Sequence, residues 1–466
     1  MNFIYKPSKL LFLAIGIFSA CLFGGSSSSR FNDTDELVSR AKPSWLTETI
    51  EKMSAKDQLD SLNTFVTTVS THRKQTGYVL PLGPKSKKKL HNMSSWLYSN
   101  LSAESFNQSD LPNIIRCAIA LSESSFSNHY LFDALEYQLW TYNHQLLNDL
   151  DYTKLFYAMS QSQYFPKSQT FGACTSSHPG FDFHAHLGKI VANQKKTINH
   201  LRYKAKSKDV ARVLTNIVIA YNMMSGSELE SIETEFKSMK LIFPLDGAID
   251  ALADLFDTCA DDHQISNLIT SIPNRKNLYK GLLLDFICKT ESVFSASACF
   301  DLTQEMPTDA LKRQRKLILE MRKVLNINNG GGTPVSGFEA EIGKRLSKLG
   351  TRYKVKNNVY DPNLCCEIDF VVTASKGTVA RIEADGYLHF NQNFHGHSLT
   401  QDLNGLTRMQ TNLLRKFGRV LRISGACNSG EYHKRINSIF DIFKKFDASQ
   451  DRVRFLPDGG EYRTCK

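Results

Sequence analysis

The chain has 466 residues, of which 41% are hydrophobic and 22% are charged. This composition is typical of globular proteins, and the length suits two or three domains, which excludes a chain that is mostly unfolded. The formal net charge of +11 favours a polyanionic partner such as RNA, DNA or an anionic membrane surface.

Residues 1–30 are predicted to be a signal peptide or a short membrane anchor. They contain Lys6, Lys9 and Arg30 but no acid, and an apolar run extends from Leu10 to Gly25. A charged start followed by a short apolar run is typical of secretory signals, and the run is short for a membrane span of about 20 residues. We therefore expect a secreted or anchored protein that meets a membrane only through this segment, with import into an organelle such as the mitochondrion as the alternative.

Residues 33–326 are predicted to be α-helical, without clear strands. Three stretches begin with a polar cap and continue into an apolar helix: Ser109 to Leu121, Leu150 to Met159, and Ser207 to Tyr221. Such a recurrence favours a solenoid of stacked helix pairs, although the spacing between the copies is unequal. An irregular helical domain is the alternative interpretation.

The cysteine and histidine residues give only weak indications of a metal site. The ten cysteines form no C-x-x-C pair and lie in apolar runs, which favours reduced, buried thiols over disulfides or zinc. A loop from Gln163 to Gly188 contains His178, His184 and His186. Their spacing suits either a metal site or an ordinary surface loop.

A Gly-rich linker, residues 327–337, is predicted to separate the helical region from a second domain. Before it, Lys312, Arg313, Arg315 and Lys316 lie on a predicted basic helix. Such a helix can follow a phosphate backbone, and it can equally be a solvated helix face.

The region after the linker alternates helices and strands. Helices are predicted over Phe338 to Leu349, Leu399 to Phe417 and Glu431 to Phe446; strands are predicted over Tyr353 to Tyr360, Cys365 to Thr373, Ala380 to Asp385 and Arg419 to Ser424. Residues 447–466 are expected only as a tail.

Two predicted strands bring carboxylates together on one face. Because side chains alternate along a strand, Glu383 and Asp385 share one side of theirs with Arg381, and Asp369 shares a side with Glu367 on the preceding strand. Neighbouring carboxylates repel each other, so this arrangement calls for a metal ion, a nucleic-acid contact or open water beside them.

These residues carry a resemblance to a known family. They are Glu367 to Phe370, Ile382 to Phe390, Thr407 and Arg408, Leu413 and Leu414, and Gly418 to Ile423. In this order they resemble the PD-(D/E)XK nuclease fold and, more narrowly, the RAP domain, a restriction-endonuclease-like module. The region before them is similar to the helical repeats that precede RAP domains in organelle RNA-metabolism proteins, including the FAST-kinase-like group. The expected architecture is multidomain, with a mostly α-helical repeat region followed by a C-terminal α/β RAP-like domain over residues 338–446.

The resemblance implies a set of site residues. Glu339, Asp369 and Glu383 would bind a divalent cation, Mg²⁺ or Mn²⁺, and Gly386, His389 and Phe390 belong to the RAP motif. The nuclease motif has a lysine two residues after its glutamate, whereas this chain has Asp385. The RAP family shares that Asp. For cleavage, Asp385, Arg408 or Arg422 would have to replace the lysine, and both arginines are also expected to contact nucleic acid. We expect no robust cleavage, with Asp385 serving binding or folding instead.

Three functions follow as predictions. The first is RNA binding in RNA processing or stability. The second is metal-dependent cleavage by an endonuclease of the PD-(D/E)XK type, in which Asp385→Lys would raise any weak activity. The third is a secreted interaction scaffold or effector without enzymatic activity. No small-molecule substrate is inferred.

Overall fold

The computed structural model describes most of residues 110–166, 183–272 and 337–464, with single positions between 57 and 92 and between 278 and 282. The predicted signal segment 1–30, the basic helix around Lys312 to Lys316 and residues 327–336 of the linker lie outside the described residues. No described helix is long and apolar enough to cross a membrane.

The first region is built from helices, as predicted. They are α1 (Leu111–Glu123), α2 (His129–Tyr142), α3 (Asp149–Gln161), α4 (Phe183–Asn199), α5 (Ser207–Met223), α6 (Gly226–Ser238), α7 (Pro244–Thr258) and α8 (Asp262–Ser271). Helix α5 packs against α3, α4 and α7, and nearly all its residues from Val210 onward are buried. Sequence signals mark the helix starts: Asn148 caps α3 by accepting from the backbone N–H of Asp151 at 2.9 Å, and Pro244 opens α7. A solenoid repeat stays a prediction.

A short strand in this region departs from the expectation that it contains none. Strand β1 (Phe126–Ser127) pairs in parallel with β5 (Phe390–Asn393), and β5 pairs antiparallel with β6 (Gln401–Leu403). The small sheet therefore joins the helical region to the C-terminal region. A strand of two residues is too short to show a periodic pattern.

The C-terminal region contains a mixed six-stranded sheet. Its strands are β2 (Tyr353–Asp361), β3 (Cys366–Ala374), β4 (Val379–Asp385), β7 (Arg419–Ser424), β8 (Val453–Leu456) and β9 (Arg463–Thr464), in the order β2-β3-β4-β7-β8-β9. Strands β2, β3 and β4 are antiparallel neighbours, and β4, β7 and β8 are parallel. Segment 447–466, expected only as a tail, thus adds two strands.

Three helices pack on this sheet. Helices α9 (Gly337–Leu346) and α11 (Ile439–Ala448) share a core with Phe370, Val372 and Ile382 on one face. Helix α10 (Gly405–Lys416) contacts β7, and it also contacts α3 and α5 of the helical region. Its residues Met409 and Leu413 belong to the same core as the first region, so the two regions have a continuous hydrophobic interior.

Helix α10 begins later than the sequence suggests. The prediction began it at Leu399, whereas residues 401–403 form β6 and Gly405 is the first helical residue. Asn404 explains the boundary, because its side-chain oxygen accepts from the backbone N–H of Thr407 at 2.9 Å and caps the helix.

The first turn of α10 lies directly against the end of α3. The backbone N–H of Leu406 donates to Gln161 Oε1 at 3.1 Å, and Arg408 donates to Gln163 Oε1. A Cβ at Gly405 would lie 2.4 Å from the backbone oxygen of Ser160, so only glycine fits this contact. The position of α10 is thus set by the helical region as well as by the sheet.

Candidate functional site

The strand register brings the predicted acids together. Val371 pairs with Arg381 and Glu383 with Arg422, so Asp369 and Glu383 lie on the same face of the sheet on neighbouring strands. Asp369 Oδ2 also accepts from the backbone N–H of Ala384 at 2.7 Å. The alternation of side chains along the two strands predicts that Asp369 and Glu383 lie on one face, and the register places them there.

The charges of these acids act on one another. Burial raises the pKa of Asp369 well above its usual range, and Glu383, Glu339 and Asp385 raise it further, against the lowering effect of the Ala384 N–H. Glu339 comes from α9, so helix and sheet contribute to one electrostatic cluster. Glu383 is 3% exposed, and Gln410 Nε2 of α10 lies 3.5 Å from its Oε2. Burial and the neighbouring acids therefore favour the protonated form of Asp369.

The acid cluster has the type of ligand that a divalent cation needs, but not the close grouping of ligands. Its donors are carboxylate oxygens, which are the ligands that Mg²⁺ and Mn²⁺ prefer. Among the residues that the structure describes, however, no three His, Cys, Asp or Glu side chains are grouped closely enough to hold a metal ion. Binding of Mg²⁺ or Mn²⁺ by Glu339, Asp369 and Glu383 therefore stays a prediction.

Stability should depend on pH through Asp369. Its pKa rises from 3.8 to about 9 on folding, so between these values the native protein holds a proton that the unfolded chain has released. The free energy of unfolding should therefore fall as the pH rises through this window. Asp369→Asn cannot ionise but can still accept from Ala384, so its stability should fall less between about pH 5 and about pH 8. Urea unfolding at several pH values measures this, and equal pH dependence in both proteins would contradict it.

Asp385 forms a buried ion pair with Arg422. Arg422 Nε donates to Asp385 Oδ2 at 2.7 Å and Nη2 to Oδ1 at 2.5 Å, and both side chains are 1% exposed. The remaining Nη1 donates to Thr411 Oγ1 of α10 at 3.1 Å, and Thr411 in turn donates to the backbone oxygen of Thr407 at 2.7 Å. Such a bidentate pair fixes both side chains in one geometry.

The ion pair bears on the predicted roles of Arg422 and Asp385. Arg422 was expected to contact nucleic acid, but its guanidinium is buried and bonded within the protein, so it does not reach a phosphate. Asp385 was expected either to take the catalytic lysine position or to serve binding or folding, and its carboxylate is held by Arg422 within the protein. For the same reason Asp385→Lys would bury a second cation against Arg422, so it is expected to destabilise the fold instead of raising activity.

The predicted RAP-motif residues lie around this pair. His389 Nδ1 is 3.3 Å from both Asp385 Oδ1 and Thr407 Oγ1, and the His389 backbone oxygen accepts from Asn404 at 2.9 Å. Gly386 accepts from the backbone N–H of His389 at 3.1 Å in the turn that ends β4. Phe390 begins β5 opposite Leu403.

Arg408 and the basic helix are the other predicted nucleic-acid contacts. Arg408 is half-buried and donates to Gln163, so it joins α10 to the helical region. Its contact with nucleic acid stays a prediction. The group Lys312, Arg313, Arg315 and Lys316 lies outside the described residues, and its role also stays a prediction.

Sequence reasoning missed two basic residues near the acids. Lys354 and Lys356 of β2 are exposed, and they pair with Thr373 and Val371 of β3. Their alternation in Tyr353-Lys-Val-Lys was visible in the sequence as two cations on one face of a strand.

The histidines expected in a surface loop lie in a helix where they are described. His184 and His186 belong to α4, and His184 is buried with its two ring nitrogens 3.0 Å from Tyr221 Oη and 3.2 Å from the Pro166 backbone oxygen. His184 is therefore held within the core and is not a surface ligand. His178 lies outside the described residues.

The described cysteines agree with a reduced interior. Cys117 and Cys366 are buried, and burial raises the pKa of the Cys117 thiol to about 12. A thiol with such a pKa stays protonated at neutral pH and is unreactive.

Comparison with known proteins identifies no family to which the chain belongs. No protein-family model matches the chain, and no curated protein matches its sequence.

Proposed function

We propose that residues 338–446 form a RAP-type module of the restriction-endonuclease-like class and that the protein binds RNA without cleaving it. The observation that carries the proposal is a single hydrogen-bonded network made from separate parts of the motif. Asp385, His389, Thr407 and Arg422 come from a strand, a turn, a helix and a further strand. They meet in one cluster, in which the His389 side chain is 40% exposed and the other three are buried. Through this network the four residues link strand β4, the turn after it, helix α10 and strand β7.

The same network argues against hydrolysis. A PD-(D/E)XK nuclease uses its lysine to orient or activate the attacking water beside the acids. In this chain the corresponding position is Asp385, and the cation beside it, Arg422, is neutralised and buried. An arginine in this state neither removes a proton from water nor reaches a substrate.

RNA binding without cleavage also suits the charge of the chain. The net charge of +11 favours a polyanion, and exposed lysines lie on the sheet face that carries the acids. We assign the protein to RNA processing or stability, with RNA as the partner and DNA as the alternative polyanion.

A metal-dependent endonuclease is the second candidate, and the raised pKa of Asp369 favours it. Carboxylates that repel each other at this site would be stabilised by a divalent cation, which would polarise a phosphodiester oxygen or a bound water. The secreted-scaffold alternative and the expected localisation depend on residues 1–30, outside the described part of the chain.

A cleavage assay separates the two candidates. We expect the full chain to leave end-labelled RNA and DNA intact in Mg²⁺ or Mn²⁺, because no free lysine or other base lies at the Asp385 position. Asp369→Ala and Glu383→Ala should behave in the same way. Cleavage that needs the cation and disappears in both variants would contradict the proposal and establish the endonuclease.

A further inference from the structure

Strand β2 is an edge of the six-stranded sheet, and its side chains alternate between core and solvent. Tyr353 and Val355 pack against the core formed with α9 and α11, whereas Lys354 and Lys356 are exposed. Lysines on an edge strand also protect a sheet from pairing with another chain. Lys354 and Lys356 can also contact a ligand if they lie on the same face of the sheet as the acids.

The register places both lysines on the acid-bearing face. Lys356 pairs with Val371, and Val371 pairs with Arg381; Lys354 pairs with Thr373, and Thr373 pairs with Val379. Paired residues project to the same side of a sheet, so these rows lie beside the row that contains Asp369 and Glu383.

This part of the face is accessible. Val379 is 36% exposed and Thr373 is half-buried, whereas Val371 packs against the core shared by the helical region and α10. Helix α10 contacts β7, two strands farther from the edge than β3. The row that contains Lys354, Thr373 and Val379, together with the exposed Lys356 at the edge, therefore forms a surface at which an extended ligand could lie.

We propose that Lys354 and Lys356 bind the phosphodiester backbone of the RNA along the β2 edge of this face. The inference rests on the proposed function and deepens it by naming the contact site. Phosphates are attracted by the two ammonium groups at the sheet edge. The backbone is consequently held over β2 and β3, away from Asp369 and Glu383, which agrees with binding that does not lead to cleavage.

The chemistry of lysine makes this contact independent of base sequence. An ammonium group is a point charge on a flexible stem, and it lacks the planar fork with which arginine reads a guanine edge. Backbone contacts position a nucleic acid, whereas base contacts specify its sequence. Any preference for a particular RNA must then come from other residues.

Salt-dependent binding tests the site. The full chain, the double variant Lys354→Ala/Lys356→Ala and the control Lys444→Ala/Lys445→Ala are titrated against a fluorescent uridine homopolymer and a thymidine homopolymer of equal length. Lys444 and Lys445 are exposed on α11, which packs on the opposite face of the sheet, and their loss changes the net charge equally. The slope of log K against log salt is negative, and each lost phosphate contact should reduce its magnitude by about 0.7. The magnitude of the slope should therefore be smaller by about 1.4 in the edge variant.

The outcomes distinguish this site from the proposed function. A reduced slope in the edge variant alone supports the site, and an unchanged or equally reduced slope in both variants overturns it. If uridine binding is retained while the edge variant has no effect, the site is wrong and RNA binding stands. If both polymers bind equally well and both need the edge lysines, the site stands and the preference for RNA fails. If neither polymer binds, both proposals fail.

Discussion

Arg422→Met is expected to destabilise the protein by about 3–5 kcal/mol, because it leaves the Asp385 carboxylate buried without its cation. Arg422 is fully buried and joins β4 to α10 through Asp385 and Thr411, so its loss also removes a link between sheet and helix. The midpoint of urea unfolding measures the effect. Since Met has a similar length and no charge, the change isolates the ion pair from a simple loss of volume.

Two controls make this result specific. The double variant Asp385→Leu/Arg422→Met removes both charges and should recover much of the lost stability. Lys237→Ala breaks the exposed pair in which Lys237 Nζ lies 2.6 Å from Glu233 Oε1, and it should leave the midpoint almost unchanged. A single Arg422→Met variant as stable as the wild type would show that the buried pair does not contribute as the geometry requires.

Gly405→Ala is expected to cost about 1–3 kcal/mol or more, because the added methyl group meets atoms that have little freedom to move. A Cβ there would lie 2.4 Å from the Ser160 backbone oxygen and 2.8 Å from Met223 Sδ. Helix α10 would have to shift away from α3. The bond from Leu406 to Gln161 should then weaken, so the Leu406 amide should exchange its hydrogen faster.

Gly337 provides the matched control for Gly405. Both glycines are the first residue of a helix, but a Cβ at Gly337 would meet nothing within 4 Å. Gly337→Ala should therefore be neutral or slightly stabilising, since alanine also restricts the unfolded chain. Equal unfolding midpoints for the two variants would contradict the close contact between α10 and α3.

The convergence of Asp369 and Glu383 could be predicted from the sequence. Side chains alternate with a period of two along a strand, so the parity of each acid within its strand fixes its face once the strands pair. The paired register confirms that face. The mostly helical first region and the C-terminal mixed sheet with its helices were also predictable, because long apolar periodicities and glycine or proline punctuation mark such elements.

The role of Asp385 could not be predicted in this way. Its partner Arg422 is 37 residues distant in sequence, and only the parallel pairing of β4 with β7 brings the two strands together. The alternation of side chains along the strand placed Asp385 on the same face as Glu383. It could not distinguish an Asp385 that forms an internal ion pair from one that is exposed and catalytic.

The docking of α10 depends on still longer separations. The bond between Leu406 and Gln161 spans 245 residues. A glycine at the start of an amphipathic helix is common, so the sequence around Gly405 carries no sign that Ser160 lies against it. Strand β1 was missed for a related reason, because two residues acquire a strand geometry only from their partner β5.

The central claim is that the protein binds RNA, and crosslinking in the cells that make it tests this most directly. Ultraviolet crosslinking of the full chain, followed by purification under denaturing conditions and sequencing of the attached nucleic acid, should recover RNA well above a sample that was not irradiated. Crosslinked peptides should include residues on the β2 edge of the acid-bearing face. Recovery of no RNA above the unirradiated sample, or of DNA in its place, would contradict the claim.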